Sequence, residues 1–137
     1  MKQKHLFFIS AMAVMFMFFT AQTGYGLDQA DLAKLITTGH CSRCDLVGAD
    51  LTGADLTKAD LAKATLSGAD LSNAHLSNAN LTGANLGSAD LTNANLTDAD
   101  LTGADLTGAH LSNTILTGAT WVDRSTCQAG SIGQCKK

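Results

Sequence analysis

The chain of 137 residues contains no proline and no glutamate, with a single tryptophan and a single tyrosine. That length and composition fit one small domain. Positive charge is scarce where the sequence is most regular, since residues 45–122 hold nine aspartates against two lysines. No basic stripe exists there to displace counterions from phosphate, which argues against nucleic acid as a partner. The apolar run from Leu6 to Phe19 is shorter than the roughly 20 residues that span a bilayer. Lys2 and Lys4 precede it, and Gly24 and Gly26 place small residues at −3 and −1 of a cleavage site. Residues 1–26 therefore read as a secretory signal cut after Gly26, leaving no stable membrane span. No cysteine directly follows the run, so a lipid-modified N-terminus is not suggested. Cleavage leaves seven Lys and Arg against twelve Asp, a formal charge of −5.

What the chain does have is a period of five. Leucine fills 15 consecutive places from Leu46 to Leu116, and Trp121 takes the sixteenth. Alanine stands two places earlier in 14 repeats, the exceptions being Cys44 and Thr114. The remaining three places are Asp, Asn, Thr, Ser, Gly and occasional Lys, and read as solvent-facing. This period matches neither the turn of a helix, about 3.6 residues, nor the alternation of a strand, so the backbone must bend once per repeat. Each buried leucine contributes about 1.5–3 kcal/mol before entropy, enough in register to hold a narrow column together. Alanine keeps that column narrow, because a bulkier residue would overpack it.

Ala49-Asp50-Leu51-Thr52-Gly53, Ala54-Asp55-Leu56-Thr57-Lys58 and their successors resemble the pentapeptide-repeat family over residues 44–123. The resemblance implies an all-β solenoid, a right-handed quadrilateral β-helix with four pentapeptides to a coil. Sixteen repeats then give about four coils, a rod about 20 Å long at a spacing of about 4.8 Å. Residues 27–43 are expected to form a helical N-terminal cap, with Leu32, Leu35 and Ile36 on one face, and residues 124–137 a C-terminal capping tail. Trp121, Val122 and Ile132 are expected to cover the far end, with Gly130 and Gly133 letting the tail turn back.

On a four-sided coil, residues twenty apart stack. One side then carries Asp50, Asp70, Asp90 and His110, with Asn73, Asn93 and Asn113 stacked beside them. It is the most regular and most acidic side, and the candidate docking face for a basic partner or a weak Ca²⁺ site; its plainer reading is a solvated face that keeps the rod soluble. Like charges at this spacing should disfavour simultaneous ionisation unless cations or amides relieve them. The other columns are Asp45, Thr65, Asn85, Asp105; Asp55, His75, Asn95, Ile115; and Asp60, Asn80, Asp100, Thr120.

The four cysteines lie toward the ends: Cys41 and Cys44 before the first leucine, Cys127 and Cys135 in the tail. In an exported chain an even count reads first as disulfides. Local pairing, Cys41 with Cys44 and Cys127 with Cys135, is expected, because the alternative must bridge the rod against a Cα limit of roughly 7 Å. The rival readings of His40-Cys41-Ser42-Arg43-Cys44 are redox and zinc, with His40 joining the thiolates. Haem attachment wants the histidine after the second cysteine, where Asp45 stands.

No nucleophile with a base, and no pair of sheltered carboxylates, can be assembled. The serines and threonines occupy the repeating outward slot, and His75 and His110 replace Asp or Asn in the same kind of slot. No catalytic residue, cofactor or metal is therefore expected. The expected function is a non-catalytic scaffold of the bacterial cell envelope, periplasmic or secreted, binding an unknown protein or envelope component as a monomer or end-to-end dimer. The family's best-known members suggest a second reading, a cytoplasmic DNA mimic that occupies DNA gyrase; the signal segment and short rod count against it. A third, ice or mineral binding through Thr or Ser at twelve of sixteen slots, ranks below both.

Overall fold

A computed structural model describes residues 27–137, so the expected signal at 1–26 lies outside the described residues. The first element, α1, is Gln29–Thr38. Asp28 opens it by accepting the N–H groups of Ala30 (2.8 Å) and Asp31 (3.4 Å) on Oδ1, satisfying amides with no partner inside the helix. Gly39 closes it at φ 68°, the left-handed conformation in which glycine pays no steric cost. Leu32 and Leu35 are buried against the first repeats, while Ile36 is half-buried. The helix is tied to the repeats at its start: Asp45 donates its N–H to Asp31 Oδ2 at 2.8 Å, and Asp28 donates to the Asp45 carbonyl at 3.1 Å.

From His40 to Thr120 the chain forms parallel bridges between residues twenty apart, in four columns: 40-60-80-100-120, 45-65-85-105, 50-70-90-110 and 55-75-95-115. With a repeat of five, one circuit has four sides. No side holds a strand longer than a single bridge, although the pairing is all parallel β. The reason is geometric, since each repeat spends its remaining residues turning a corner.

The five amides of one repeat can all be accounted for, as buried polar groups require. Asp70 donates to the Ala49 carbonyl of the preceding coil (2.9 Å), while Leu71 and Asn73 donate to Asp90 (2.8 Å) and Thr92 (2.9 Å) of the next. Ala69 closes the corner by donating to Leu66 at 3.1 Å. The fifth amide, Ser72, has no carbonyl and donates to Asp70 Oδ1 at 2.9 Å. The fifth place of the repeat is left-handed throughout: φ is 64° at Gly53, 59° at Asn73 and 61° at Lys58. Gly and Asn recur there because they tolerate that conformation best.

The Leu and Ala columns form the core, with Leu61 to Leu96 and Ala64 to Ala99 essentially inaccessible. Thr114, the polar exception among the alanines, is also fully buried and donates Oγ1 to the Leu91 carbonyl at 2.7 Å.

The solenoid does not run on through Trp121. Trp121 donates to Ser125 (2.7 Å) and Arg124 to Trp121 (2.9 Å), which reverses the chain. The tail then lies antiparallel along the last two sides, bridging Thr126 to Thr120 and Ile132 to Ile115. Strand alternation turns Ser131 inward, fully buried, and Ile132 outward, 57% exposed. Ile132 therefore does not cover the end of the core as expected from its apolar character; it stacks on Ile115, itself 39% exposed.

Candidate functional site

Asp50, Asp70, Asp90 and His110 stand in one ladder, joined by consecutive bridges, as the four-sided coil implied by the resemblance predicts. Each aspartate accepts the N–H of the residue two ahead, Thr52 at 3.1 Å, Ser72 at 2.9 Å and Thr92 at 2.9 Å. Both Asp70 and Asp90 are nevertheless lowered in pKa, toward the ionised form. The Ser72 hydroxyl and then its N–H hold the Asp70 carboxyl below the usual 3.8, outweighing the opposing effects of partial burial and the neighbouring Asp90 charge. Asp90 is lowered in the same way by the Thr92 hydroxyl and N–H, with a smaller attraction from His110. Hydrogen bonding to the charged form thus dominates like-charge repulsion at Asp70.

Beside the ladder, Asn73, Asn93 and Asn113 occupy the left-handed corner place at φ 59°, 60° and 58°. Asn113 donates Nδ2 to Asn93 Oδ1 at 3.3 Å, so the upper two form an amide step. An amide also meets a carboxylate on another side, where Asn80 Nδ2 donates to Asp60 Oδ1 at 3.2 Å.

The sequence reading missed what the Asp/Asn column does for the backbone. Either residue supplies the Oδ1 that satisfies the fifth amide: Asn95 serves Thr97 at 3.0 Å much as Asp105 serves Thr107 at 2.9 Å. Recurrence of Asp or Asn one place before 11 of the 15 repeat leucines is the available signal. Either Asp or Asn can fill the amide role, so the choice between them can serve something else as well. Thr65, His75, His110 and Ile115 make no such bond among the described residues.

At the start of the repeats Cys41 and Cys44 are bonded, as are Cys127 and Cys135 in the tail, with Cα separations of 5.2 Å and 4.9 Å. Cys41 and Cys44 are buried beneath α1. The carboxylate brought to them is Asp31, with ligand atoms of all three residues within 4.8 Å of one another; His40, the partner considered from sequence, instead bridges Asp60 and is exposed. Both sulfurs are engaged with each other, so this trio offers no open thiolate pair to a metal as it stands.

A family model for pentapeptide repeats matches in eight copies over residues 40–78 and 79–118. Proteins of this kind form right-handed quadrilateral β-helices, in agreement with the four bridge columns. Among solved structures, a Nostoc pentapeptide repeat protein involved in heterocyst differentiation regulation is 42% identical over 59% of this chain and 40% of its own, with a TM-score of 0.36. The chain thus spans well under half of that protein's length. A second Nostoc pentapeptide repeat protein is 34% identical over 67% of this chain and 82% of its own (TM-score 0.41). One from the Arabidopsis thaliana thylakoid lumen is 27% identical over 72% and 77% (TM-score 0.30). The comparison with curated proteins returns no match.

Proposed function

Because this chain belongs to the pentapeptide-repeat family, whose members are generally non-enzymatic structural or interaction proteins, we propose that it is an exported scaffold. On this reading, about four coils with α1 on one end and the tail on the other present the Asp50, Asp70 and Asp90 side to a basic partner in the bacterial cell envelope. The observation that carries it is the use of Asp three times running where Asn would satisfy the same amide. The basic n-region, the small residues before Leu27 and the two cysteine pairs support export from a reducing cytoplasm.

Two measurements test it. Mass analysis of the protein from separated periplasm and cytoplasm should find a periplasmic species beginning at Leu27 with both disulfides; a full-length cytoplasmic species with free thiols overturns export and returns gyrase binding to the front. For the face, the triple change Asp50→Asn, Asp70→Asn and Asp90→Asn keeps every Oδ1 acceptor and removes only charge. Cross-linking to envelope partners should be lost in this variant, and unchanged partner recovery would remove the acidic side from the proposal.

A further inference from the structure

The two halves of the solenoid's C-terminal end differ. The tail covers the sides of Ile115 and Thr120, satisfying their outward backbone groups: Leu116 donates to Ser131 (2.9 Å), Gly118 to Cys127 (2.9 Å), Cys127 to Ala119 (2.8 Å) and Gly133 to Thr114 (2.8 Å). The sides of Asp105 and His110 have no such cover. The N–H groups of Leu106 and Leu111 and the carbonyls of Ala104 and Ala109 have no partner among the described residues. One circuit earlier the equivalent groups are all bonded, as in Leu86 to Asp105 (2.8 Å) and Asp105 to Ala84 (2.9 Å). Leu106, Ala109 and Leu111 are only half-buried, whereas Leu86, Ala89 and Leu91 are inaccessible.

The tail's own outer edge is open in a matching way. Thr126 and Ile132 are the bridge residues facing Thr120 and Ile115, so their N–H and C=O groups point away from the coil, and neither residue makes a backbone bond among the described residues. Each coil stacks on the next by a fixed rule: the upper bridge residue donates to the carbonyl before the lower one and accepts from the amide after it, as Asp70 does between Ala49 and Leu51. Thr126 and Ile132 offer that donor and acceptor. The open half offers the complements, Ala104 and Leu106 around Asp105, and Ala109 and Leu111 around His110.

We propose that the C-terminal end is a half-step that closes on a second copy of this chain, the tail of each protomer seating on the uncovered Asp105 and His110 sides of the other. A two-fold axis perpendicular to the rod exchanges covered and open halves, so both tails share one layer and neither collides with the other. The flip also sets each tail parallel to the partner's coil, pairing Thr126 with the partner's Asp105 and Ile132 with the partner's His110. Thr126 and Ile132 are one residue further apart than Asp105 and His110, the same difference the tail already accommodates against Ile115 and Thr120. Gln128, at the corner between them, donates to Lys136 at 2.8 Å and is not part of the joint. The charges agree with this occupant. The tail carries Arg124, Lys136 and Lys137 against one Asp123, and the open half carries Asp105 on one side and Asp90 one coil below His110 on the other. The arrangement also covers the exposed Ile132, buries Leu106 and Leu111, and is closed, because an isologous contact uses the same patch on both copies.

The test uses the full oxidised protein. Sedimentation over a range of concentrations should show monomer and dimer only, with the dimer weakened by salt. Ile132→Pro removes an N–H that bonds nothing within the protomer and puts a ring where the partner must approach; it should abolish the dimer while keeping both disulfides. Amide exchange of the unmodified protein supplies a second readout, with Leu106 and Leu111 slowing about tenfold or more as concentration rises. A monomer at every concentration, an open series of larger species, or a dimer in which Leu106 and Leu111 stay unprotected would each overturn the proposal. If Ile132→Pro fails to fold, the exchange result decides alone.

Discussion

Asp100 accepts the N–H of Thr102 on Oδ1 at 2.9 Å, supplying a bond for which the square coil has no carbonyl. The same relation recurs up the rod, so the aspartates are structural before they are anything else. Asp100→Asn keeps the acceptor and should lose only what the charge adds near neutrality, a smaller drop than the Ala variant. Asp100→Ala removes it and should cost about 0.5–1.5 kcal/mol, the range for losing one such bond. Denaturant titration of the oxidised variants distinguishes the two; equal losses would show that charge, not the acceptor, is what the coil uses.

Acid should loosen the rod. Asp55, Asp70, Asp90, Asp100 and Asp105 are all lowered from 3.8, in each case first by the hydroxyl of the residue two ahead. A folded pKa below the unfolded one means that the unfolded chain binds protons first, so stability rises with pH through this window. The contribution is fully present above 3.8 and is lost as pH falls through the lower folded values. Thermal midpoints should therefore be flat near neutrality and drop below about pH 4, less steeply in the Asp70→Asn, Asp90→Asn double variant. A midpoint that did not fall on acidification would contradict the assignment.

The corner place gives a pair of opposite predictions. Gly118 has φ 73°, and a Cβ added there would sit 2.0 Å from Asp98 Oδ1. Gly118→Ala should destabilise by about 1–2 kcal/mol from the left-handed backbone alone, with displacement of Asp98 adding to it. Lys58 holds the same conformation at φ 61° without the tolerance of Asn. Lys58→Asn should raise the midpoint, by under about 1 kcal/mol. Thermal melts that moved both variants in the same direction would refute this account.

The parts of the fold that repeat were legible, and the parts that do not were not. Leu71 and Ala69 announce themselves because burial allows little else at those places. Asp70 and Asn73 looked merely solvent-facing, since an amide acceptor and a left-handed corner are both polar and exposed on paper. The twenty-residue stacking of Asp50 to His110 followed from the family resemblance, because a period of five does not by itself say how many sides a coil has. Asp31 meeting Asp45 and the cysteines could not be read, as the contacts by which α1 packs on the coil do not follow the period of five. Nor could the reversal after Trp121, where a residue in perfect register turns the chain back.

The Cys127–Cys135 pair should hold the tail on the coil more than it holds the coil itself. The bridge closes a loop with a sequence separation of 8, and it sits on the segment whose bonds cover Leu116 and Thr114. By chain entropy such a loop is worth about 2–3 kcal/mol. In a solenoid each coil contacts only its neighbours, so losing that constraint should fray the end and leave the middle intact. In the Cys127→Ser, Cys135→Ser double variant, the amides of Leu116, Gly118 and Gly133 should exchange much faster, while those of Leu71 and Leu76 keep their protection. Uniform loss of protection along the whole rod would mean that the tail is part of one cooperative unit, and that the repeats cannot stand without it.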